Sequence, residues 1–280
     1  MPAAASLPVH LAGFDGSPAA TSAVRVAGAL ASADGAHLVV LVVHPAAGHA
    51  LLLGTETALE QEVRRRAEEL LVDLAHAEVQ EVRAASAPRA LAEAAGRHGA
   101  SMVTVGATDR GALGRLAPGS VGERLLHEAP CPVLVVPPGV DERPLRTVGV
   151  AVHGGRDDDV VLLHAATLAA SLEARLVLIS VLAPDDGPAF HAAAKKLEDL
   201  AARLGARSCV REGRPGPEVV AACDDVDLLV CGSRAHTPVR AVLEGSVSRH
   251  LVDHAPCPVL VVSRPVARAA AREAVAGAAR

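Results

Sequence analysis

The sequence predicts an α/β fold, a doubly wound parallel five-stranded sheet built twice in tandem. Two observations carry that expectation. Ala129-Pro-Cys-Pro-Val-Leu-Val-Val136 returns unchanged as Ala255-Pro-Cys-Pro-Val-Leu-Val-Val262, 126 residues on. Within each copy, short continuous apolar runs alternate with segments of helical spacing, the pattern of strands covered on both faces and joined by helical crossovers.

In the first copy the apolar runs are Val9 to Phe14, Leu38 to Val43, Met102 to Val105 and Val133 to Val136. Between them Ala19 to Ala31, Leu59 to Ala77, Arg89 to Arg97 and Val121 to His127 have helical spacing, and the neighbours of Arg83 supply a further strand. Asp15-Gly-Ser-Pro18 is a helix start, with Ser17 as capping hydroxyl and proline at the first helical position. Ser120 and Ser246 repeat the capping logic, and Pro130 and Pro132 end the helix that Ser120 opens.

The repeat fixes the boundaries. Gly119-Ser120-Val121 recurs as Gly245-Ser246-Val247 and Gly106 as Gly232, while near the start of each copy the offset is 138, pairing Asp15-Gly16 with His153-Gly154. The second copy is about twelve residues shorter, the loss falling in the loop where Pro45 to Thr57 faces Pro184 to Pro188. Pro137, Pro138, Gly139 and Pro144 mark a linker. We divide the chain into domains at 1–139 and 145–265, followed by an Ala/Arg tail of helical composition at 266–280.

Composition narrows the function. Half of the residues are hydrophobic and no low-complexity block interrupts them, so 280 residues suffice for two cores of roughly 140 residues each. Phe14 and Phe190 are the only aromatics and the net charge is −5, which leaves neither stacking platforms nor a basic surface for nucleic acid. The longest apolar stretch, Leu38 to Leu53, is broken by His44, Pro45, Gly48 and His49, so no membrane span is expected. With no secretory leader evident, a cytoplasmic protein is expected. The five cysteines form no C-x-x-C pair and read as buried small hydrophobes.

In an open parallel sheet, ligands bind beyond the carboxyl ends of the strands where the first and fourth loops diverge. Those loops carry Asp15-Gly16-Ser17 and the stretch from Gly106 to Ser120, with glycines at 106, 111, 114 and 119. The amides of Ser120 and Val121 at a helix start favour an anion, and Asp15 is an acceptor on the opposite lip. Each feature also has a plain structural reading: serine caps occur without ligands, and Asp15 can simply cap the first helix. His250 and His254 stand four apart on one helix, without a third metal ligand nearby. His44 either touches a ligand or caps its strand.

The succession of strand-Asp-Gly-Ser, strand-Gly, a glycine-rich loop to Gly-Ser-Val, and Ala-Pro-Cys-Pro-Val-Leu-Val-Val resembles the universal stress protein family over nearly the whole chain, twice. The resemblance implies a Rossmann-like fold of the adenine nucleotide alpha hydrolase type. It also implies ATP, with magnesium, as ligand: adenosine near Asp15 and Val43, phosphates over Gly106, Gly119, Ser120 and Val121. The second copy offers the weaker set Gly232, Gly245, Ser246 and Val247. ATP-binding members carry G-x-x-G-(nine residues)-G-[ST]; here Asp109 and Ala235 replace the second glycine in the two copies, and His153 replaces the aspartate in the second. The first copy is therefore the better site, and a nucleotide-free interaction module with a vestigial cleft is the alternative.

No P-loop and no evident general base are present, so a binding protein, at most a slow ATPase, is expected rather than an enzyme. The apolar last strands, Val133 to Val136 and Val259 to Val262, would be exposed edges if left bare, so they are expected to pair as an intramolecular pseudo-dimer with pseudo-two-fold symmetry. Association into a homodimer is a further expectation with no residue of its own to specify it.

Overall fold

The computed structural model describes residues 7–46, 58–107, 120–140, 144–155, 158–183, 188–233 and 247–263. The chain divides into two compact units, each holding five strands. The first runs β1 (Val9–Phe14), α1 (Pro18–Asp34), β2 (His37–Pro45), α2 (Ala58–Glu69), β3 (Ala77–Ala84), α3 (Ala87–His98), β4 (Met102–Gly106), α4 (Val121–Glu128) and β5 (Val133–Val136). Its strands lie in the order β3-β2-β1-β4-β5, all parallel.

The second unit repeats that plan with β6 (Thr147–Val152), α5 (Asp158–Ser171), β7 (Arg175–Leu182), α6 (Pro188–Arg203), β8 (Arg207–Glu212), α7 (Pro215–Ala221), β9 (Leu228–Ser233), α8 (Val247–His254) and β10 (Val259–Ser263). Its order is β8-β7-β6-β9-β10, again all parallel. In each unit the chain leaves the first strand in one direction and later returns to its other side, so the order reverses there.

The apolar runs are continuous because both sheet faces are covered. In β2, Leu38, Val40 and Val42 face a core with α1, while the alternate residues Val39 and Leu41 are buried as well. Helix α1 presents Ala20, Val24, Ala27 and Ala31 to that core at helical spacing. Small residues on this face let the helix backbone sit close to the sheet. Ser17 caps it, its hydroxyl accepting from the Ala20 amide at 3.1 Å, with Pro18 at the first position. At the other end Gly35, in the left-handed region at φ 68°, donates to Ala31.

Two expectations need revision. Helical spacing continues from Leu59 to Ala77, but α2 ends at Glu69 and the chain turns before β3. Leu71 donates to the Glu68 carbonyl and Leu74 to that of Leu71, which brings Leu70, Leu71 and Leu74 onto the α1 core instead of carrying them along a helix. Second, Ala77 pairs with Leu38, so the strand around Arg83 starts there and takes the last residue assigned to that helix. The loop in which the copies differ in length, the glycines at 111, 114, 119 and 245, and the tail from Arg264 lie outside the described residues.

Candidate functional site

β1 and β4 are neighbours, with Leu11 beside Val103 and Ala12 beside Thr104, so the loops after Phe14 and after Gly106 leave from the same end of the sheet. On the other side of β1, Phe14 pairs with Val42, which puts half-buried Val43 level with Asp15. The sheet thus brings Asp15, Val43 and the end of β4 to one crevice. Because α4 returns the chain from β4 to its parallel neighbour β5, its first turn belongs to the same end.

Asp15 is exposed, and its Oδ1 accepts from the Ser17 amide at 2.9 Å. One carboxylate oxygen therefore shapes the turn. Gly16 holds φ +80°, a conformation that favours glycine, and its carbonyl accepts from the Arg66 guanidinium at 3.1 Å. Arg66 thereby ties α2 to this lip. On the other lip, Ser120 caps α4 by accepting from the Glu123 amide at 3.3 Å. The first-turn amides of Val121 and Gly122 have no partner within the helix itself, as at every helix start.

Gly106 has a packing reason as well. A Cβ there would lie 2.4 Å from both the carbonyl carbon and oxygen of Ala19, so glycine at 106 admits the backbone of α1. Gly119, Asp109 and Arg110 lie outside the described residues, as do Ala235, Gly245 and Ser246 in the second unit. Gly232 ends near α5, a Cβ there standing 3.2 Å from Val161, and Val247 opens α8.

The loop after β6 shows what the sequence reading missed. Gly154 takes φ +81°, matching Gly16, but the Asp158 carboxylate folds back into the loop. Its Oδ2 accepts from the amides of His153, Gly154 and Gly155 at 2.8, 2.7 and 3.2 Å. Its Oδ1 lies 2.7 Å from His153 Nδ1. The Gly-Gly pair followed by a run of aspartates was the available signal. In the first copy the same offset of 138 puts Ala20 at this place.

His44, expected to touch a ligand or cap its strand, joins a charged network. It is buried, with Nε2 2.8 Å from Glu81 Oε1, in a network where Arg83 donates twice to Glu60 at 2.7 and 3.1 Å and Arg64 Nη1 reaches Glu81 at 3.3 Å. The rings of His250 and His254 stack at 4.2 Å, and His254 Nδ1 lies 2.9 Å from the His250 carbonyl, so the two do not converge on a metal. Burial, with His254 and Arg214 nearby, lowers the His250 pKa. These histidines line a cleft of about 370 Å³ between α7 and α8. Among the described residues no cluster of three or more metal-ligating side chains occurs, and no helix is long and apolar enough to cross a membrane.

Four of the cysteines are buried. Burial pushes the Cys131 and Cys231 thiols up to about 12, and a hydrogen bond with Cys223 together with burial raises Cys257 further. Cys131, Cys231 and Cys257 stay protonated, and all four buried cysteines serve as packing.

A parallel sheet of this order, reversing between β1 and β4, defines a Rossmann-like α/β protein, a fold in which ligands bind beyond the strand ends at that point. A sequence profile of the universal stress protein family matches residues 10–137 and again 144–263, and the chain belongs to that family as a tandem member. A curated relative, a universal stress protein of Methanocaldococcus jannaschii, is 35% identical over 92 residues, 31% of this chain and 52% of the relative. The chain thus spans about half the length of that relative. Among solved structures, a universal stress protein of Archaeoglobus fulgidus has a TM-score of 0.69 at 22% identity, with 91% of this chain and 96% of that one covered. A Pseudomonas aeruginosa relative has 0.70 at 19%, with 96% and 98% covered. At these identities the likeness speaks to the fold alone.

Proposed function

We propose that the chain is an adenine-nucleotide-binding regulatory protein of the stress response, acting through occupancy and partner binding rather than turnover. The nucleotide is ATP, with magnesium, and its place is the first copy. The observation that carries this reading is the convergence of exposed Asp15, half-buried Val43 and the first turn of α4 at the reversal point of one parallel sheet.

The residues present fit such a ligand at both lips. Asp15 keeps one carboxylate oxygen beyond the turn it shapes, suited to a base amine or a ribose hydroxyl. Val43 offers apolar surface beside it. The amides of Val121 and Gly122, at the positive end of α4, suit phosphate oxygens, the charge that magnesium would share. Gly106 contributes by seating α1 and so placing the Asp15 turn.

Isothermal titration of the purified chain tests the reading. Saturable heat with ATP is expected, and the absence of any saturable binding at millimolar ATP would remove it. The second reading, a nucleotide-free interaction module, draws support from the way Asp15 and Ser120 already bond within the chain. It predicts that Asp15→Ala and Gly119→Val alter stability and nothing else.

A further inference from the structure

The first-strand loops of the two copies share a backbone and differ in what fills them. Gly16 and Gly154 take the same left-handed conformation, at φ 80° and 81°. Six residues after Phe14 and its counterpart Val152 the copies part: the second has Asp158 where the alignment gives Ala20 in the first. Alanine has nothing to send back into the loop. Aspartate sends a whole carboxylate.

That carboxylate is held at both oxygens. Three successive amides, of His153, Gly154 and Gly155, converge on Oδ2 within 3.2 Å, and His153 Nδ1 stands 2.7 Å from Oδ1. Asp158 is only 7% exposed although it begins a surface helix. Hydrogen bonds to an ionised acceptor are shorter and stronger than neutral ones, and several on one group hold the loop in a single shape. His153, at the position where the first copy has Asp15, is half exposed but spends its Nδ1 on Asp158, so the residue that would replace the adenosine anchor is itself engaged.

We propose that Asp158 and His153 seal the β6–α5 loop of the second copy, so that the chain takes up one nucleotide and not two. The proposal rests on the nucleotide reading given above for its stoichiometry, but the seal itself can be measured without any nucleotide. The asymmetry between copies is then a built feature: the first loop is bridged by one Asp15 oxygen on a single amide, whereas the second is closed by a carboxylate on three.

The test uses the full chain in three forms, wild type, Asp158→Ala and the near-isosteric Asp158→Asn, which keeps a carbonyl acceptor if the alanine variant folds poorly. Amide hydrogen exchange at Gly154 and Gly155, followed by NMR, reads the seal. Exchange is expected to be slow in wild type and at least about tenfold faster in Asp158→Ala, the loss of one charge-assisted hydrogen bond, with Asp158→Asn between them. Equal exchange in wild type and both variants would overturn the seal. Equilibrium dialysis with labelled ATP reads the stoichiometry: one equivalent per wild-type chain is expected, and two would overturn the proposal. If wild type binds no ATP, the nucleotide reading fails and the exchange measurement still decides whether Asp158 closes the loop.

Discussion

Gly106→Ala would set a methyl carbon 2.4 Å from the backbone of Ala19, where no side chain can move aside. The expected cost is about 3 kcal/mol, at the upper end for overpacking, and urea denaturation would show it as a lower midpoint. Gly28 makes the contrast. A Cβ there meets Leu74 Cδ1 at 2.9 Å, the far end of a flexible side chain, while alanine gains about 1 kcal/mol of helix propensity over glycine. Gly28→Ala should stay within about 1 kcal/mol of wild type in the same experiment. The sequence shows both glycines but not which is pressed by backbone: Gly106 meets Ala19 of α1, Gly28 only the tip of Leu74.

His10 is a second residue that spacing could not reveal. It lies in β1, 1% exposed, with Nε2 3.0 Å from Asp34 Oδ2. Burial lowers its pKa from the ordinary 6.5, outweighing the opposite pull of Asp34, and burial lowers His164 in the same way. Both imidazoles are therefore protonated more readily in the unfolded chain. Their contribution to stability is whole above pH 6.5 and is lost as the pH falls through the folded-state values. The urea midpoint should drop between pH 7.5 and 5.5, and the drop should be smaller in His10→Gln. An equal drop in that variant would assign the pH dependence elsewhere.

At the scale of elements, the strands covered on both faces were the most legible. β1 and β5 match the apolar runs at both ends, because burial on both faces demands unbroken Val, Leu and Ala. β3 was faint because Ala77–Ala84 is polar and only partly buried, so neither a continuous run nor a clean alternation marks it. The helix expected from Leu59 to Ala77 overran for a related reason: Leu70, Leu71 and Leu74 keep helical spacing while serving a turn onto the α1 core. The caps at Ser17 and Ser120 were legible in full chemical detail. Ser17→Ala should cost about 1 kcal/mol, a typical loss for an amino-terminal cap, and circular dichroism during thermal unfolding would show it as a lowered midpoint. In the second copy, the loop after β6 was legible only as a missing aspartate. That Asp158 fills it depends on a side chain folding back across its own helix start, which no spacing rule encodes.

The whole molecule is a family fold made twice, and the family was visible in the repeated motif before any coordinates. What duplication leaves open is whether two copies mean two sites. The first copy keeps Asp15 on an exposed turn, whereas the second turns His153 toward its own Asp158. Site-resolved NMR during an ATP titration tests this division most directly. The account predicts saturable shifts of the Ser17, Ser120 and Val121 amides in wild type, abolished by Asp15→Ala, with Gly154 and Gly155 unmoved. Shifts confined to the second copy, or none in either at millimolar ATP, would contradict it.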